Sequence, residues 1–403
     1  MTVSSFSNPY GSLIDYYRDQ IILPTYCRFT SGDDLEKHQK ERGKFFTERL
    51  SLPAPRFFQG ARLIEFGPDS GENALAFATW GASCFLVEPN KNAHPVLLDY
   101  FDRFNLSHQI AGLSESNVTA FHAPGDQKSQ YDVVDAEGFI YTVRPEKQWM
   151  DLFSFLLKPG GVVILSYMEK YGSFFELFLR VIHNHVRRLT GIEANRSARD
   201  LYLAKWNSIP HTRSFESWVM DVIENPFVRL HFLFEPYDLC RKMSSSGFTL
   251  YSSWPFYRNA LELGWHKKRV SALEQLDSTK AFLHRSRVSH FFGVPLFSVR
   301  PSLETCLEKT LHLVDGLIDN VNEEAVKELK SYLADLSRWV EDEVLYARPS
   351  DRKKALLSIV SVKSILDLLV AGDVHALKIF CNTDAGFTGM WGMPVHYSVF
   401  EKQ

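Results

Sequence analysis

Residues 61–90, ARLIEFGPDSGENALAFATWGASCFLVEPN, give the clearest indication of the fold of this chain. It begins with the apolar run ARLIEFG, continues with a helical segment, ENALAFATWG, and returns to a second apolar run, ASCFLVEP. A strand, a helix and a second strand in this order predict a βαβ unit with two parallel strands. The bend GPDSG between the first strand and the helix contains two glycines, which adopt backbone conformations that other residues disfavour.

Further strands and helices alternate downstream of this unit. The runs NVTAFHA (117–123) and YDVVDAEG (131–138) predict the third and fourth strands. The segment EKQWMDLFSFLL (146–157) predicts a helix, and the turn KPGG then leads into a fifth strand, VVILSYM (162–168). Because such strands are apolar on both faces and separated by helices, they indicate a parallel sheet covered on both sides.

Composition places the chain among ordinary globular proteins. Its 403 residues are 45% hydrophobic and 23% charged, which excludes disordered, collagen-like and disulfide-scaffold classes. The formal charge of −3 lacks the basic excess that nucleic-acid binding needs. The five cysteines form no CxxC pair, so we expect reduced thiols and no metal site. Neither a signal peptide nor an apolar run of membrane-spanning length is recognisable, which predicts a cytoplasmic protein.

The bend and an acidic residue beyond it point to a nucleoside ligand. Gly67 and Gly71 let a ligand approach the backbone, beside the N–H groups at the start of the helix. Glu88 ends the second strand 21 residues after Gly67, a spacing at which a carboxylate accepts hydrogen bonds from ribose hydroxyls. The acids Asp69 and Glu72 disfavour a pyrophosphate here and favour a cation.

In these features the chain resembles the class I S-adenosylmethionine-dependent methyltransferases, whose cofactor carries a sulfonium and an amino group. The resemblance covers about residues 60–170, and more faintly 235–256 and the last strand. Its five features are EFGPDSG in place of the family's acidic-x-Gly-x-Gly-x-Gly turn, Glu88, Gly125 with Asp126, YDVVDAEGFI and LLKPGGVVILSY. It implies an α/β fold with a doubly wound, mostly parallel seven-stranded sheet, an antiparallel last strand and large helical insertions.

The same resemblance implies a set of cofactor-binding residues. Glu88 would hold the ribose, and Asp126 would face the adenine amino group. The loop around the methionine part of the cofactor would consist of Glu65, Gly67, Pro68, Asp69 and Gly71. Asp69 departs from the family pattern, which usually has a glycine at this position.

The acceptor side is implied in the same way. Glu137 and Gly138, at the end of the fourth strand, would lie beside the transferred methyl group. Tyr17 and Arg18 would close over the cofactor as a lid, although a solvated amphipathic helix is the simpler explanation for them. A hydroxyl acceptor needs a base for its proton. The candidates for this role, each of which a packing role also explains, are Glu137, Tyr141, Tyr167 and His183.

The resemblance also divides the chain into segments. GFTLYSSWP and VHYSVFEK would supply the sixth and seventh strands. We expect an N-terminal helical segment or lid (1–59), a cofactor-binding core (60–170), a helical insertion on the acceptor side (171–235), a core helix and strand (236–257), a second helical insertion or cap (258–388) and the last core strand (389–403).

Three functions remain open on the sequence alone. The first is methyl transfer by in-line displacement to a small or medium-sized organic acceptor, such as a sugar, a lipid-like molecule or a secondary metabolite. The second is a nicotinamide-dependent oxidoreductase, which the missing GxGxxG pattern disfavours. The third is a catalytically silent methyltransferase-like scaffold that binds a protein partner. A homo-oligomer is compatible with each of them.

Overall fold

The structure is a computed structural model that describes residues 11–18, 31–122, 128–210, 214–258, 271–297, 301–342 and 347–403. The described residues form two compact units. The sheet unit is built from residues within 10–167, 236–279 and 396–403, and the helical unit from residues within 168–235 and 280–395.

The sheet unit is organised around seven strands. These strands are β1 (Arg62–Phe66), β2 (Ser83–Val87), β3 (Ile110–Ser114), β4 (Tyr131–Glu137), β5 (Leu157–Met168), β6 (Phe248–Trp254) and β7 (Val395–Lys402). Their order in the sheet is β3-β2-β1-β4-β5-β7-β6, with β1 to β5 parallel and β7 antiparallel to β6. The predicted doubly wound sheet with an antiparallel last strand is therefore confirmed.

Helices cover this sheet and account for most of the other unit. The helices of the sheet unit are α1 (Leu13–Arg18), α2 (Gly32–Arg49), α3 (Glu72–Thr79), α4 (His94–Arg103), α5 (Glu146–Leu156) and later α9 (Pro236–Ser245). The others are α6 (Phe174–Thr190), α7 (Ala194–Trp206), α8 (Phe215–Trp218), α10 (Ala272–Phe292), α11 (Pro301–Asp319), α12 (Glu323–Asp342), α13 (Pro349–Ala371), α14 (Val374–Thr383) and α15 (Ala385–Thr388). Among the described helices, none combines the length and the apolar character that crossing a bilayer requires.

Two details of the predicted sheet are wrong. The third strand is Ile110–Ser114, and the run 117–123 that was expected to form it begins instead as a turn. Residues 110–114 make a short, half-buried edge strand with a glycine, so they carry little strand signal. The KPGG turn is part of β5, whose pairing with β4 shifts register between Tyr131 and Val133.

Helix α2 packs on one face of the sheet unit through an aromatic cluster. Phe46 is fully buried, and its ring lies 5.3 Å from Phe58, 5.7 Å from Phe77 and 6.0 Å from Trp80. Burying a side chain of this size contributes about 2 to 3 kcal/mol to stability. The helix begins with a capping box between Ser31 and Asp34. This packing fixes the face of α2 that is turned towards the strands.

Candidate functional site

The bend after β1 adopts the conformation that a tight strand-to-helix turn requires. Gly67, Asp69 and Gly71 all have positive φ, at 69°, 51° and 89°. A Cβ atom on Gly71 would lie 2.9 Å from Cγ of Leu97, so the position is closed to larger residues. Asp69 occupies the position at which the family that the chain resembles usually has a glycine. Aspartate is one of the residues that tolerate the left-handed region. The departure at Asp69 therefore leaves the bend intact.

Glu88, directly after β2, is bonded to this bend. Its Oε2 accepts a hydrogen bond from the backbone N–H of Asp69 at 2.8 Å, and its Oε1 accepts one from Asn90 at 2.7 Å. The residue is only 4% exposed, and this burial raises the pKa of its carboxyl to about 7. Each carboxylate oxygen carries more than one lone-pair site. Glu88 can therefore accept hydrogen bonds from a ligand without leaving the bend.

Three acidic side chains lie together near the carboxyl ends of β1 and β4, and we call them the strand-end carboxyl cluster: Glu65, Asp135 and Glu137. Glu65 and Asp135 are register partners on adjacent parallel strands, so their side chains emerge on the same face of the sheet. Glu137 follows two residues later on that face and ends β4. Burial raises the pKa of Glu65 to about 8 and holds the pKa of Asp135 well above its usual range.

One arginine partly compensates the charge of this cluster. Arg42 of α2 donates to Oε1 of Glu137 at 2.6 Å, and both side chains are about nine-tenths buried. The Arg42 guanidinium lies 4.8 Å above the ring of Phe46, within the range of a cation–π interaction. The hydroxyl of Tyr397 on β7 donates to Oε2 of Glu137 at 3.3 Å. Helix α2 and strand β7 therefore hold the Glu137 carboxylate from two sides.

Glu65 and Glu137 were expected from the sequence, whereas Arg42, Asp135 and Tyr397 were not. Asp135 could have been found, because it is a carboxylate inside the apolar run YDVVDAEG. Arg42 and Tyr397 carry no such signal. They are 95 and 260 residues away from Glu137 along the chain, and only the fold brings them together.

The other predicted base candidates of the sheet unit have interior roles. Tyr141 is buried in a short 3₁₀ turn, Ile140–Thr142, after β4. The hydroxyl of Tyr167 lies 2.9 Å from the hydroxyl of Tyr257 and 3.0 Å from Oγ of Ser398, inside a buried network. A hydroxyl that is bonded in this way stabilises the sheet by satisfying buried polar groups. Catalysis by either tyrosine stays a prediction.

His183 belongs to the helical unit, on α6. It is fully buried, its Nε2 lies 2.9 Å from Oε1 of Glu224, and burial lowers its pKa to about 3. The imidazole is therefore neutral at physiological pH. Its ring stacks beside Tyr202. These contacts give His183 a packing role in its own unit, and its catalytic role stays a prediction.

Five predicted residues remain. Gly138 follows β4 with a φ of 83°, and Pro68 is buried within the bend. The ring of Tyr17 on α1 makes an edge contact with Tyr16 at 5.1 Å. Asp126 and the side chain of Arg18 lie outside the described residues.

Comparison with known proteins assigns the family. A family model described as a methyltransferase domain matches residues 37–253, which is more than half of the chain. The chain belongs to this methyltransferase family. It is accordingly an enzyme of the class I, S-adenosylmethionine-dependent type, and the predicted family and cofactor are confirmed. No curated protein matches the chain significantly.

Several solved structures are similar to this methyltransferase over a third to nearly all of its length. An S-adenosylmethionine-dependent methyltransferase from Mesorhizobium loti is 14% identical over 33% of this chain and 56% of its own, with a TM-score of 0.27. The cyclase SpnF is 11% identical over 90% and 81%, with a TM-score of 0.36. A candidate sarcosine dimethylglycine methyltransferase from Galdieria sulphuraria is 9% identical over 96% of both chains, with a TM-score of 0.35. The assignment itself depends on the family match.

The residues of the candidate site fit S-adenosylmethionine. A ribose needs a carboxylate that is fixed beside the bend, and Glu88 supplies one. A sulfonium and an ammonium group need negative charge that is not already neutralised by the protein. Among the described residues, Oε2 of Glu65 and both carboxylate oxygens of Asp135 are buried and have no hydrogen-bond donor. Buried polar atoms of this kind usually have a partner, so these are suited to receive one from a ligand.

Proposed function

We propose that this methyltransferase transfers the methyl group of S-adenosylmethionine, by in-line displacement, to a small or medium-sized organic acceptor such as a sugar, a lipid-like molecule or a secondary metabolite. The observation that carries the proposal is the bond between Glu88 and the N–H of Asp69, because it joins the ribose-binding carboxylate to the bend. A small-molecule acceptor agrees with the formal charge of −3, which disfavours nucleic acid. A cytoplasmic location stays a prediction.

In this proposal the protein chiefly positions the reactants. When bound, the cofactor supplies a methyl group on a positively charged sulfur, which is already reactive. Glu88 accepts hydrogen bonds from the ribose hydroxyls, and the bend from Gly67 to Gly71 holds the methionine part. Orientation of this kind supplies several kcal/mol of the rate enhancement.

Glu137 is the group that we assign to the acceptor proton. It ends β4, and Arg42 and Tyr397 fix the direction of its carboxylate. A carboxylate in a fixed orientation accepts the proton of a hydroxyl or amine as the methyl group arrives, provided that the acceptor lies within hydrogen-bond distance. Gly138, which follows with positive φ, leaves that side of the strand end free of a side chain.

The test of this function is a calorimetric titration of the purified protein with S-adenosylmethionine, S-adenosylhomocysteine and NAD. We expect the two sulfur nucleosides to bind and NAD not to bind. Failure of both nucleosides to bind at millimolar concentration would overturn the proposal and favour a scaffold role. Selective binding of NAD would favour an oxidoreductase.

The substitution Glu88→Ala tests the site. Hydrogen bonds to a charged group are worth about 1.5 to 3 kcal/mol, so the variant should lose roughly ten- to 150-fold in affinity for S-adenosylmethionine. A matched control is Glu115→Ala, which removes an exposed glutamate that pairs with Lys91 at 3.1 Å. The control should bind as the wild type does. Equal affinity in Glu88→Ala and wild type would remove Glu88 from the cofactor site.

A further inference from the structure

The strand-end carboxyl cluster carries more negative charge than its surroundings neutralise. Fully ionised, Glu65, Asp135 and Glu137 bring three negative charges, whereas Arg42 brings one positive charge. Glu65 is 2% exposed and Asp135 is fully buried. An unpaired charge in such surroundings is costly, and a carboxyl there takes up a proton instead. Geometry and burial together therefore indicate that the cluster holds a proton in the cofactor-free protein.

Asp135 is the centre of this imbalance. Neither of its carboxylate oxygens has a hydrogen-bond donor among the described residues, although both are buried. Its neighbours on the two strands are Glu65, in register on β1, and Glu137, two residues later on β4. Asp135 is close enough to Glu137 for a hydrogen bond between the two carboxyls, so the like charges of the cluster cannot all ionise and Asp135 holds a proton.

The groups that face the cluster from the neighbouring elements do not remove the imbalance. On α2, Arg42 is cationic, whereas His38 is neutral because burial and Arg42 lower its pKa to about 4. The phenol of Tyr397 stays protonated, since burial raises its pKa. The other charged groups that act on the cluster are acidic, namely Glu72 on α3 and Glu88 after β2. Among these described neighbours, Arg42 is the single cation.

We propose that the strand-end carboxyl cluster releases its shared proton when S-adenosylmethionine binds, and that it thereby distinguishes the cationic methyl donor from S-adenosylhomocysteine, whose sulfur is neutral. This inference rests on the proposed function, which brings the sulfonium to the ends of β1 and β4. The O–H bond of the carboxyl breaks, its electron pair stays on the carboxylate oxygen, and the proton passes to the solvent buffer. After methyl transfer the sulfur loses its charge, the cluster takes a proton back, and the product is held less tightly.

The experiment is calorimetric titration of the wild type with each nucleoside in two buffers of different ionisation enthalpy, between about pH 6 and 9. The difference between buffers gives the number of protons released. We expect up to about one proton for S-adenosylmethionine and fewer for S-adenosylhomocysteine. The ratio of their affinities should rise with pH by up to about tenfold per pH unit, as linkage to one proton requires. Equal proton counts for the two nucleosides would overturn the inference.

Variants locate the proton. Asp135→Asn should abolish the difference between the nucleosides, and Glu65→Gln, a second variant, should reduce it. Asp132→Asn is the matched control, because Asp132 lies on the same strand but is part-exposed and pairs with Lys158 at 2.6 Å. The control should keep the wild-type proton count. Proton release that persists in both cluster variants would contradict the inference, whereas absence of any nucleoside binding to the wild type would contradict the proposed function instead.

Discussion

Two fully buried ionisable side chains, Lys205 in the helical unit and Asp135 in the sheet unit, have opposite surroundings. The ammonium of Lys205 donates to the carbonyl oxygen of Phe387 at 2.9 Å and to that of Met390, and it lies 4.0 Å from the ring of Trp391. Asp135 has no donor among the described residues. Burial lowers the pKa of Lys205 to about 7, but the protein itself bonds its donors, and the side chain therefore satisfies buried carbonyl groups of the fold. A buried carboxyl without a donor, such as Asp135, is instead suited to a ligand.

The largest expected effect is on Lys205. Lys205→Met removes the donor of two buried carbonyl groups, so we expect a loss of about 3 kcal/mol in the free energy of unfolding. Urea denaturation measures it, and affinity for S-adenosylmethionine should be unchanged. The control, Lys378→Met, removes a part-exposed lysine that pairs with Asp200 at 2.7 Å, and should cost about 0.5 kcal/mol. Equal losses in the two variants would show that the buried contacts of Lys205 add no more stability than a part-exposed ion pair.

Arg42 tests the sheet unit in the same way. Arg42→Met leaves the buried Glu137 carboxylate without its cation, and we expect a loss of about 2 kcal/mol, less than for a completely enclosed pair. Thermal or urea unfolding measures this loss. An exposed arginine, Arg103, forms an i,i+4 pair with Asp99 and provides the control variant Arg103→Met. A stability of Arg42→Met equal to that of the wild type would show that the cluster does not need its cation.

Asp135→Asn should increase the free energy of unfolding, whereas the two preceding substitutions should decrease it. Burial raises the pKa of Asp135, so this carboxyl must take up a proton when the chain folds, which costs free energy at pH 8. The neutral amide avoids this cost, and we expect stability to increase by about 1 kcal/mol at pH 8. Urea midpoints of the variant and the wild type measure the change. A clear decrease in stability would mean that Asp135 stabilises the fold, as we expect for Lys205.

The raised pKa of Glu65 should make the stability of the protein depend on pH. Its pKa is about 8 in the folded protein, above the ordinary value of 4.5. Between these values the folded state binds more protons than the unfolded state, so this carboxyl makes the free energy of unfolding fall as pH rises from about 5 to 8. The free energy of unfolding of Glu65→Gln should fall less steeply over this interval than that of the wild type. Urea denaturation of both proteins at pH 5 and pH 8 measures the difference. Parallel profiles would show that Glu65 is ionised throughout.

Most of the sheet could be predicted from the sequence, because buried parallel strands such as β1, β2 and β4 appear as continuous apolar runs. The third strand could not. It is a half-buried edge strand, whereas Val118 and Phe121, in the run that was expected to form it, are buried side chains outside the described strands. The apolar residues of this segment are buried without forming a strand, and for that reason the sequence pattern was misleading here.

The candidate site was predictable only where it is local in sequence. Glu88 follows an apolar strand, and that position identified it, whereas Glu65 was implied by the resemblance that the bend EFGPDSG carries. The pairing of Arg42 with Glu137 depends on the packing of α2, which residue spacing does not report. The same limit applies to His183, because helical periodicity places it on α6 but does not reveal that Glu224 meets it.

The position of β7 between β5 and β6 has a consequence for synthesis on the ribosome. Strand β6 ends at Trp254, and its partner begins at Val395, about 140 residues later. Until β7 has left the ribosome, β6 has no neighbouring strand that connects it to the sheet. During this time the edge of β5 that pairs with β7 is open. Open strand edges favour aggregation, so the nascent chain is exposed to misassembly until translation of the final strand closes the gap.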